Sequence, residues 1–420
     1  MVSAAEQPEG PTIGTSVTLM TDFIIFDDNL GQFGPLTDLR PASRLRTGAQ
    51  LTSQRQSRRL GGEAVAQWVH EALADVLREH EAIPVNELPE GDSHLCVNGR
   101  WSALEQLPVP GPGEALLDQS TGAVVMAHLD AGDAEPFLDS GTLPDSTVTS
   151  SVETTLYNAP WDILDHLEAA LADDLPALGI PAMAEDQVSV HGAHGVHLHP
   201  GAAVLPGVTA DTSAGPVVIN DGATIRCNAV LCGPCYVGLD STIMDGALLK
   251  PRTVIGPGCR VGGEVGGSIF QGFSNKAHDG HLGDSILGRW VNLGAGTNNS
   301  NLLNTYSEVI MRLSPEGQSS RTGRIFMGCI IGDHVKTAIG TRIMTGSVLG
   351  TGSMIASTSP PPTTVDAFSW LTDRGASMFR TDKFLDVART VMARRECTLG
   401  PGEEAALVRL AEAATSRRSG

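Results

Sequence analysis

The sequence predicts an α/β head domain, a left-handed parallel β-helix built from hexapeptide repeats, and a C-terminal helical tail. The β-helix rests on a period of six: Ile219, Ile225, Leu231, Val237, Ile243, Leu249, Ile255 and Val261 are aliphatic at unbroken intervals. Small residues follow the first seven at a fixed offset: Ala223, Ala229, Cys235, Ser241, Ala247, Thr253 and Cys259. A helix repeats its face every 3.6 residues and a strand every two, so a sustained six is a short strand plus a turn, three of which close one coil. The pattern returns with Ile325, Ile331, Ile343, Leu349 and Ile355, Thr337 filling the missing place. Composition agrees, because aromatic residues are only 4% while glycine reaches 48 of 420 residues, as a narrow prism with tight corners requires. The head rests on a strand–helix–strand order before the repeats begin.

Taken in order, residues 1–19 read as a disordered leader, with Met20 a candidate start. The head is expected over 20–185. Residues 22–26 (DFIIF) read as a buried strand, followed by LTDLRPASRLRTG with Arg40, Arg44 and Arg46. Residues 62–80 have helical apolar spacing, and 94–100 form a strand ending in Asn98-Gly99, a turn signal. Residues 107–114 and 131–150 read as loops from their Pro, Gly, Ser and Asp content. Pro160 and Asp162 open a helix running ILDHLEAALADDL. The β-helix is expected over 190–358, irregular between 262 and 324, with Ser357–Pro362 a stiff exit. The tail, 363–420, is expected to hold helices at 381–395 and 402–417.

Lys and Arg number 28 against 48 Asp and Glu, a net charge of −20, which argues against nucleic-acid or anionic-membrane binding. No apolar run is long enough for a membrane span, and the N-terminus lacks the basic and apolar regions of a signal peptide. Seven scattered cysteines fit reduced thiols, and a cytoplasmic location is expected. Cys232-Gly-Pro-Cys235 spells a redox motif, but no helix can follow it here, so a structural role is expected. The run His191, His194, His197, His199 leaves metal binding open and no metal ligand is assigned.

The irregular interval concentrates the chemistry, since loops on rigid frames carry function. It crowds histidine, lysine, asparagine and aspartate into GGEVGGSIFQGFSNKAHDGHLGDSILGRWVNLGAGTNNSNLLNTYSEV. An imidazole suits deprotonation of an amine nucleophile, asparagine holds sugar hydroxyls, and lysine neutralises phosphate.

Residues 272–301 resemble the acetyltransferase half of the bacterial bifunctional enzyme that makes UDP-N-acetylglucosamine. Aligned on Gly283-Asp284, His278 falls on that family's catalytic base, His281 on a substrate-binding tyrosine and Asn275 on a lysine. Leu293-Gly294-Ala295-Gly296-Thr297 matches a second motif, and Asn301 falls on a sugar-contacting asparagine. Leu249-Lys250-Pro251 resembles a Leu-Arg-Pro segment that holds sugar phosphate; Lys276 stands in for a second phosphate-binding lysine. Similarity is greater still to a divergent GlmU-like branch of sugar nucleotidyltransferases, through Phe26-Asp27-Asp28, Leu36 to Gly48, Asn98-Gly99-Arg100, Pro160-Trp161-Asp162, SNKAHDG and NLGAGTNNSN.

The resemblance implies acetyl transfer from acetyl-CoA to glucosamine 1-phosphate in the β-helix. His278 would be the base, and Lys250, Asn275, Lys276, His281 and Asn301 would bind substrate. For the head it implies uridylyl transfer from UTP or another nucleoside triphosphate to N-acetylglucosamine 1-phosphate. Asp28 and Arg40, Arg44 and Arg46 would then contact Mg²⁺ and phosphates. It also implies a homotrimer. The usual Gly-rich triphosphate loop of such heads is absent. Two alternatives stay open: a zinc carbonic anhydrase on the same scaffold, using His278 and His281, or a non-catalytic trimeric regulatory or assembly protein with a degenerate head.

Overall fold

The computed structural model describes residues 22–183 and 188–419; the leader expected at 1–19 lies outside them. In the head, strands β1 (Phe23–Phe26), β2 (Ala64–Trp68), β3 (Ser93–Asn98), β4 (Glu114–Asp118), β5 (Val124–Asp130) and β6 (Val148–Val152) form one sheet in the order β2-β1-β3-β5-β4-β6. β1 pairs in parallel with both β2 and β3, so it is apolar on both faces. Ile24 and Phe26 pack with Phe137 on one face, and Phe23 and Ile25 with Trp101 on the other.

Three expectations about the head are corrected. Residues 62–80 are not one helix: Ala64–Trp68 pairs with β1 as β2, and only α2 (Glu71–His80) is helical, with the His70 ring accepting from the Ala72 amide at 3.1 Å. Residues 131–150 are not loop, because α3 (Ala131–Ser140) buries Ala134, Phe137 and Leu138 against the sheet and β6 follows. Burial of that face outweighs the turn-like composition. The helix after Pro160 is two, α4 (Pro160–Asp165) and α5 (Leu167–Ala177), with Asp162 accepting from the Asn158 and Ala159 amides at 2.7 and 3.0 Å. A further helix, α1 (Thr52–Leu60), has no apolar stripe. It is held by the buried Arg55, whose guanidinium grips Asp174 with two 2.8 Å hydrogen bonds.

From 189 to 372 the chain forms a parallel β-solenoid of about ten turns. Its three faces are a six-stranded sheet ending at His281–Gly283, a nine-stranded sheet from Val196–Leu198 to Thr364–Val365, and a five-stranded sheet ending at Asn275–Lys276. The eight aliphatic residues from Ile219 to Val261 point inward, each 0–1% exposed, and their small partners are buried with them. Each such burial stabilises by about 1.5–3 kcal/mol.

The period fails after Val261 for a reason the sequence did not suggest. The prism continues, with Val265, Phe270, Leu282 and Leu287 inside, but its coils shorten. Thr242 pairs with Arg260 eighteen residues on, whereas Arg260 pairs with Asn275 after only fifteen, and Glu264 with His281 after seventeen. The true excursion lies between Asn301 and Met327 and carries an antiparallel hairpin, Ile310–Arg312 with Ser319–Arg321. Ile325 is therefore not an inward residue; it is 49% exposed on this excursion, and the inward series resumes at Ile331. Nor does the proline segment end the solenoid, for Thr364–Val365 and Ser369–Thr372 pair onto the preceding coil.

The nine-stranded sheet is apolar outside as well as inside. Val218, Tyr236, Val254, Ile269 and Ile286 meet Leu36, Leu45, Tyr157 and Leu167 of the head in one cluster. The tail helices α6 (Thr381–Ala393) and α7 (Pro401–Ser419) pack with Trp290 and Phe368 of the solenoid. Glu79 of α2 accepts from the amides of Gly402 and Glu403. Head, solenoid and tail thus share buried contacts.

Candidate functional site

On the six-stranded face, Leu248–Leu249, Glu264–Gly266 and His281–Gly283 lie in register. Leu249, Val265 and Leu282 point inward, so Lys250, Glu264 and His281 project outward. Lys250 Nζ lies 2.5 Å from Glu264 Oε1, and His281 Nδ1 lies 3.3 Å from the same oxygen. The Lys250 hydrogen bond holds the Glu264 carboxyl below its ordinary range. Gly283 leaves the floor bare: a Cβ there would sit 2.8 Å from His281 Nε2 and 2.7 Å from Asn301 Nδ2. Asn301 donates to Asp284 Oδ2 at 2.7 Å, and Arg324 Nη2 approaches Asp284 Oδ1 at 3.5 Å. Burial raises the Asp284 carboxyl, and Asn301 and Arg324 only partly offset it. The result is a shallow cradle over the paired Gly266 and Gly283, with Lys250 against the first and His281 and Asn301 against the second, backed by carboxylates.

His278 is exposed on the corner that leads from the five-stranded face to His281. Its carbonyl accepts from Lys276 Nζ at 3.0 Å, while its ring has no hydrogen-bond partner among the described residues. Lys276 itself does not face outward. It takes the inward place of Val261 in the next coil, is 2% exposed, and donates to the Gly262 carbonyl at 2.8 Å. Burial drops its pKa to about 8. That position removes its amine from any external phosphate. Asn275 is likewise apart from the cradle, bound to Arg395 Nη2 at 2.9 Å. Asn298 and Asn299 accept from the His281 and Gly283 amides at 2.7 and 2.8 Å, so they brace the corner. The structure therefore brings together Lys250, His281 and Asn301, with His278 on the adjoining corner, and separates Lys276 and Asn275 from them.

In the head, Asp28 at the end of β1 is locked to Arg100, Oδ1 to Nε at 2.7 Å and Oδ2 to Nη2 at 2.6 Å, and also accepts from Asn98 Nδ2 at 2.8 Å. Burial alone would raise this carboxyl, but Arg100 holds it below the usual range. Both oxygens are engaged by donors, so Asp28 does not fit a magnesium ligand. No group of three or more His, Cys, Asp or Glu among the described residues is arranged for a metal. Arg40 is buried in an ion pair with Asp333, and Arg44 pairs with Glu81 at 2.6 Å. Arg46 exchanges backbone hydrogen bonds with the Gln271 side chain at 2.7 and 3.0 Å. The three arginines sit at the boundary with the solenoid.

Cys235 is fully buried in the prism, which pushes its thiol far up, and all seven cysteines are free. His197 and His199 are held separately, by the Ile180 carbonyl at 3.0 Å and Asp221 at 3.1 Å. Sequence reasoning missed Glu264, Asp284 and Arg324. Glu264 was within reach, standing seventeen residues before His281 in a chain whose coils run near eighteen; Arg324 lies beyond the excursion and carries no such signal.

The fold is thus a six-stranded α/β head joined to a hexapeptide solenoid. Residues 23–179 match the model of a sugar nucleotidyl transferase family. Over 138 residues the chain is 32% identical to a bifunctional sugar-1-phosphate nucleotidylyltransferase/acetyltransferase of Sulfurisphaera tokodaii, covering 32% of this chain and 34% of that protein. It is 34% identical over 143 residues to the bifunctional protein GlmU of Methanococcus maripaludis, covering 34% of each. It is 33% identical over 130 residues to GlmU of Synechococcus elongatus, covering 30% and 27%. Over these stretches the chain is similar to bifunctional GlmU-type proteins. The alignments span about a third of the length of the relatives they match.

Proposed function

We propose that the solenoid transfers an acetyl group from acetyl-CoA to the amine of glucosamine 1-phosphate, within UDP-N-acetylglucosamine synthesis. The observation that carries this is the cradle over the paired Gly266 and Gly283, which Lys250, His281 and Asn301 flank. Lys250 holds the sugar phosphate, and Asn301 and His281 orient the sugar. The neutral amine attacks the thioester carbonyl, an N–C bond forms and the C–S bond breaks. His278 takes the proton released from nitrogen and passes it to the departing CoA thiolate. The chain acts in the cytoplasm as a homotrimer. Exposed Tyr306, Ile310, Ile325 and Phe326 on the excursion supply apolar surface for self-association. No helix among the described residues is long and apolar enough to cross a membrane.

For the head we propose uridylyl transfer from UTP to N-acetylglucosamine 1-phosphate, supported by the match over 23–179. In that reading magnesium arrives with the triphosphate as substrate, since Asp28 is taken by Arg100. A second reading, a head that only scaffolds, is favoured by the engagement of Asp28, Arg40 and Arg44 in ion pairs. Incubation with glucosamine 1-phosphate and acetyl-CoA, and separately with UTP, Mg²⁺ and N-acetylglucosamine 1-phosphate, tests both. Free CoA without pyrophosphate selects the scaffold head; neither product overturns the assignment.

A further inference from the structure

Away from the six-stranded face, the head, the solenoid and the tail enclose a cavity of about 360 Å³. That is within the size range of small-molecule sites. Four arginines line it: Arg40, Arg44 and Arg46 from the head and Arg289 from the solenoid. Two are neutralised, Arg40 by Asp333 and Arg44 by Glu81. The other two are not. Arg46 donates to the Ala49 carbonyl, its Nε is buried without a hydrogen-bond partner, and no carboxylate pairs with it among the described residues. The Arg289 guanidinium has no hydrogen bond or carboxylate among the described residues. Its contact is the Phe273 ring, 5.3 Å from the ring centre.

The acids nearby are already committed. Glu81 holds Arg44, and Glu403 lies 3.8 Å from His80 and 3.9 Å from His334. Burial, and for Arg289 the neighbouring Arg40, pulls both guanidinium pKa values below the ordinary one, and the acids nearby (Asp333 and Glu403 for Arg289, Asp174 for Arg46) offset this only in part. Two half-buried guanidinium groups with no carboxylate in hydrogen-bond reach are well placed to take an anion. Planar guanidinium groups match phosphate oxygens two at a time. Beside them Phe273 and Trp290 stack at 4.5 Å, an apolar wall for the rest of a ligand.

We propose that this cavity binds a small phosphate-bearing anion, gripped by Arg46 and Arg289. Its phosphate has two plausible carriers in chemical terms, a nucleoside phosphate or a sugar phosphate, and the wall of Phe273 and Trp290 faces whichever is attached. Binding there clamps all three parts of the chain. The site is distinct from the His278 face and does not depend on the acetyl-transfer reading.

Calorimetry of the full chain with inorganic phosphate, uridine monophosphate and glucosamine 1-phosphate tests it, alongside Arg289→Met and Arg46→Met. Arg289→Met removes no hydrogen bond and relieves an unpaired charge, so the unliganded variant should keep its circular dichroism and a Tm no lower than the parent's. Expected is binding of at least one of the three, with a rise in Tm, weakened roughly tenfold to a hundredfold in both variants. Glucosamine 1-phosphate and the uridine nucleotide also have proposed sites elsewhere, so the probe whose binding weakens most in the two variants names the carrier. Acetyl transfer by Arg289→Met without ligand should match the parent, which separates this site from the catalytic one. Failure of all three to bind, or equal binding by a folded Arg289→Met, overturns the proposal.

Discussion

Arg40 of the head clasps Asp333 of the solenoid across their interface, Nη1 to Oδ1 at 3.0 Å with a second bond from Nη2 to Oδ2. Their side chains are 9% and 2% exposed. Asp333 also accepts from the Arg289 amide at 2.8 Å, so the pair is fixed into the coil. Removing one partner strands a buried charge. Arg40→Leu should destabilise by about 3–5 kcal/mol, and Arg40→Leu with Asp333→Leu should recover much of it. Urea unfolding of both variants reads this out; a single-variant loss under about 1 kcal/mol would show the pair to be incidental.

Lys276 gives the pH dependence. Its amine titrates near 8 in the folded chain against an ordinary 10.5. The unfolded chain therefore binds more protons between those values, and stability must rise with pH across that window. Below about pH 8 the full cost of burying the ammonium applies, roughly 3 kcal/mol. Lys276→Met should raise Tm at pH 7 and remove the rise between pH 8 and 10, while acetyl transfer persists. Loss of acetyl transfer in a folded Lys276→Met would instead restore the phosphate role that its burial argues against.

For the proposed chemistry, His278→Ala should lower kcat by about 10²–10⁴-fold without disturbing the fold, since the ring has no partner to lose. Steady-state acetyl transfer at pH 8 checks this. Full activity in the variant would remove His278 from the mechanism.

Lys250→Met should act on binding rather than on turnover. Raised KM for glucosamine 1-phosphate by about tenfold or more, with kcat little changed, marks a ground-state phosphate contact. An unchanged KM would leave Lys250 as no more than the partner of Glu264.

The inward residues from Ile219 to Val261 were legible because each repeats at a period only a coil explains. The outward column was also within reach: Val218, Tyr236 and Val254 recur every eighteen residues and mark the side the head covers. Lys276 was not, because a fifteen-residue coil shifts it into the column of Val261, and the shortening shows only in strand pairing. Helix α1 was hidden differently. Its burial is carried by Arg55 and Gln56, and the acid that makes Arg55 tolerable, Asp174, lies 119 positions away. Of the cradle, Lys250, His281 and Asn301 came from motif likeness, whereas the carboxylates behind them emerge only when the coils are stacked.

The unequal coils have one more consequence. A stack of identical rungs offers every approaching molecule the same surface again and again, like a ruler without numerals. Dropping three residues between Arg260 and Asn275, two between Leu248 and Glu264, and one between Glu264 and His281 numbers the ruler over two successive rungs. The rungs that carry Lys250, Glu264 and His281 therefore differ in spacing from the regular ones before them, so a small solute can distinguish that storey of the tower from those.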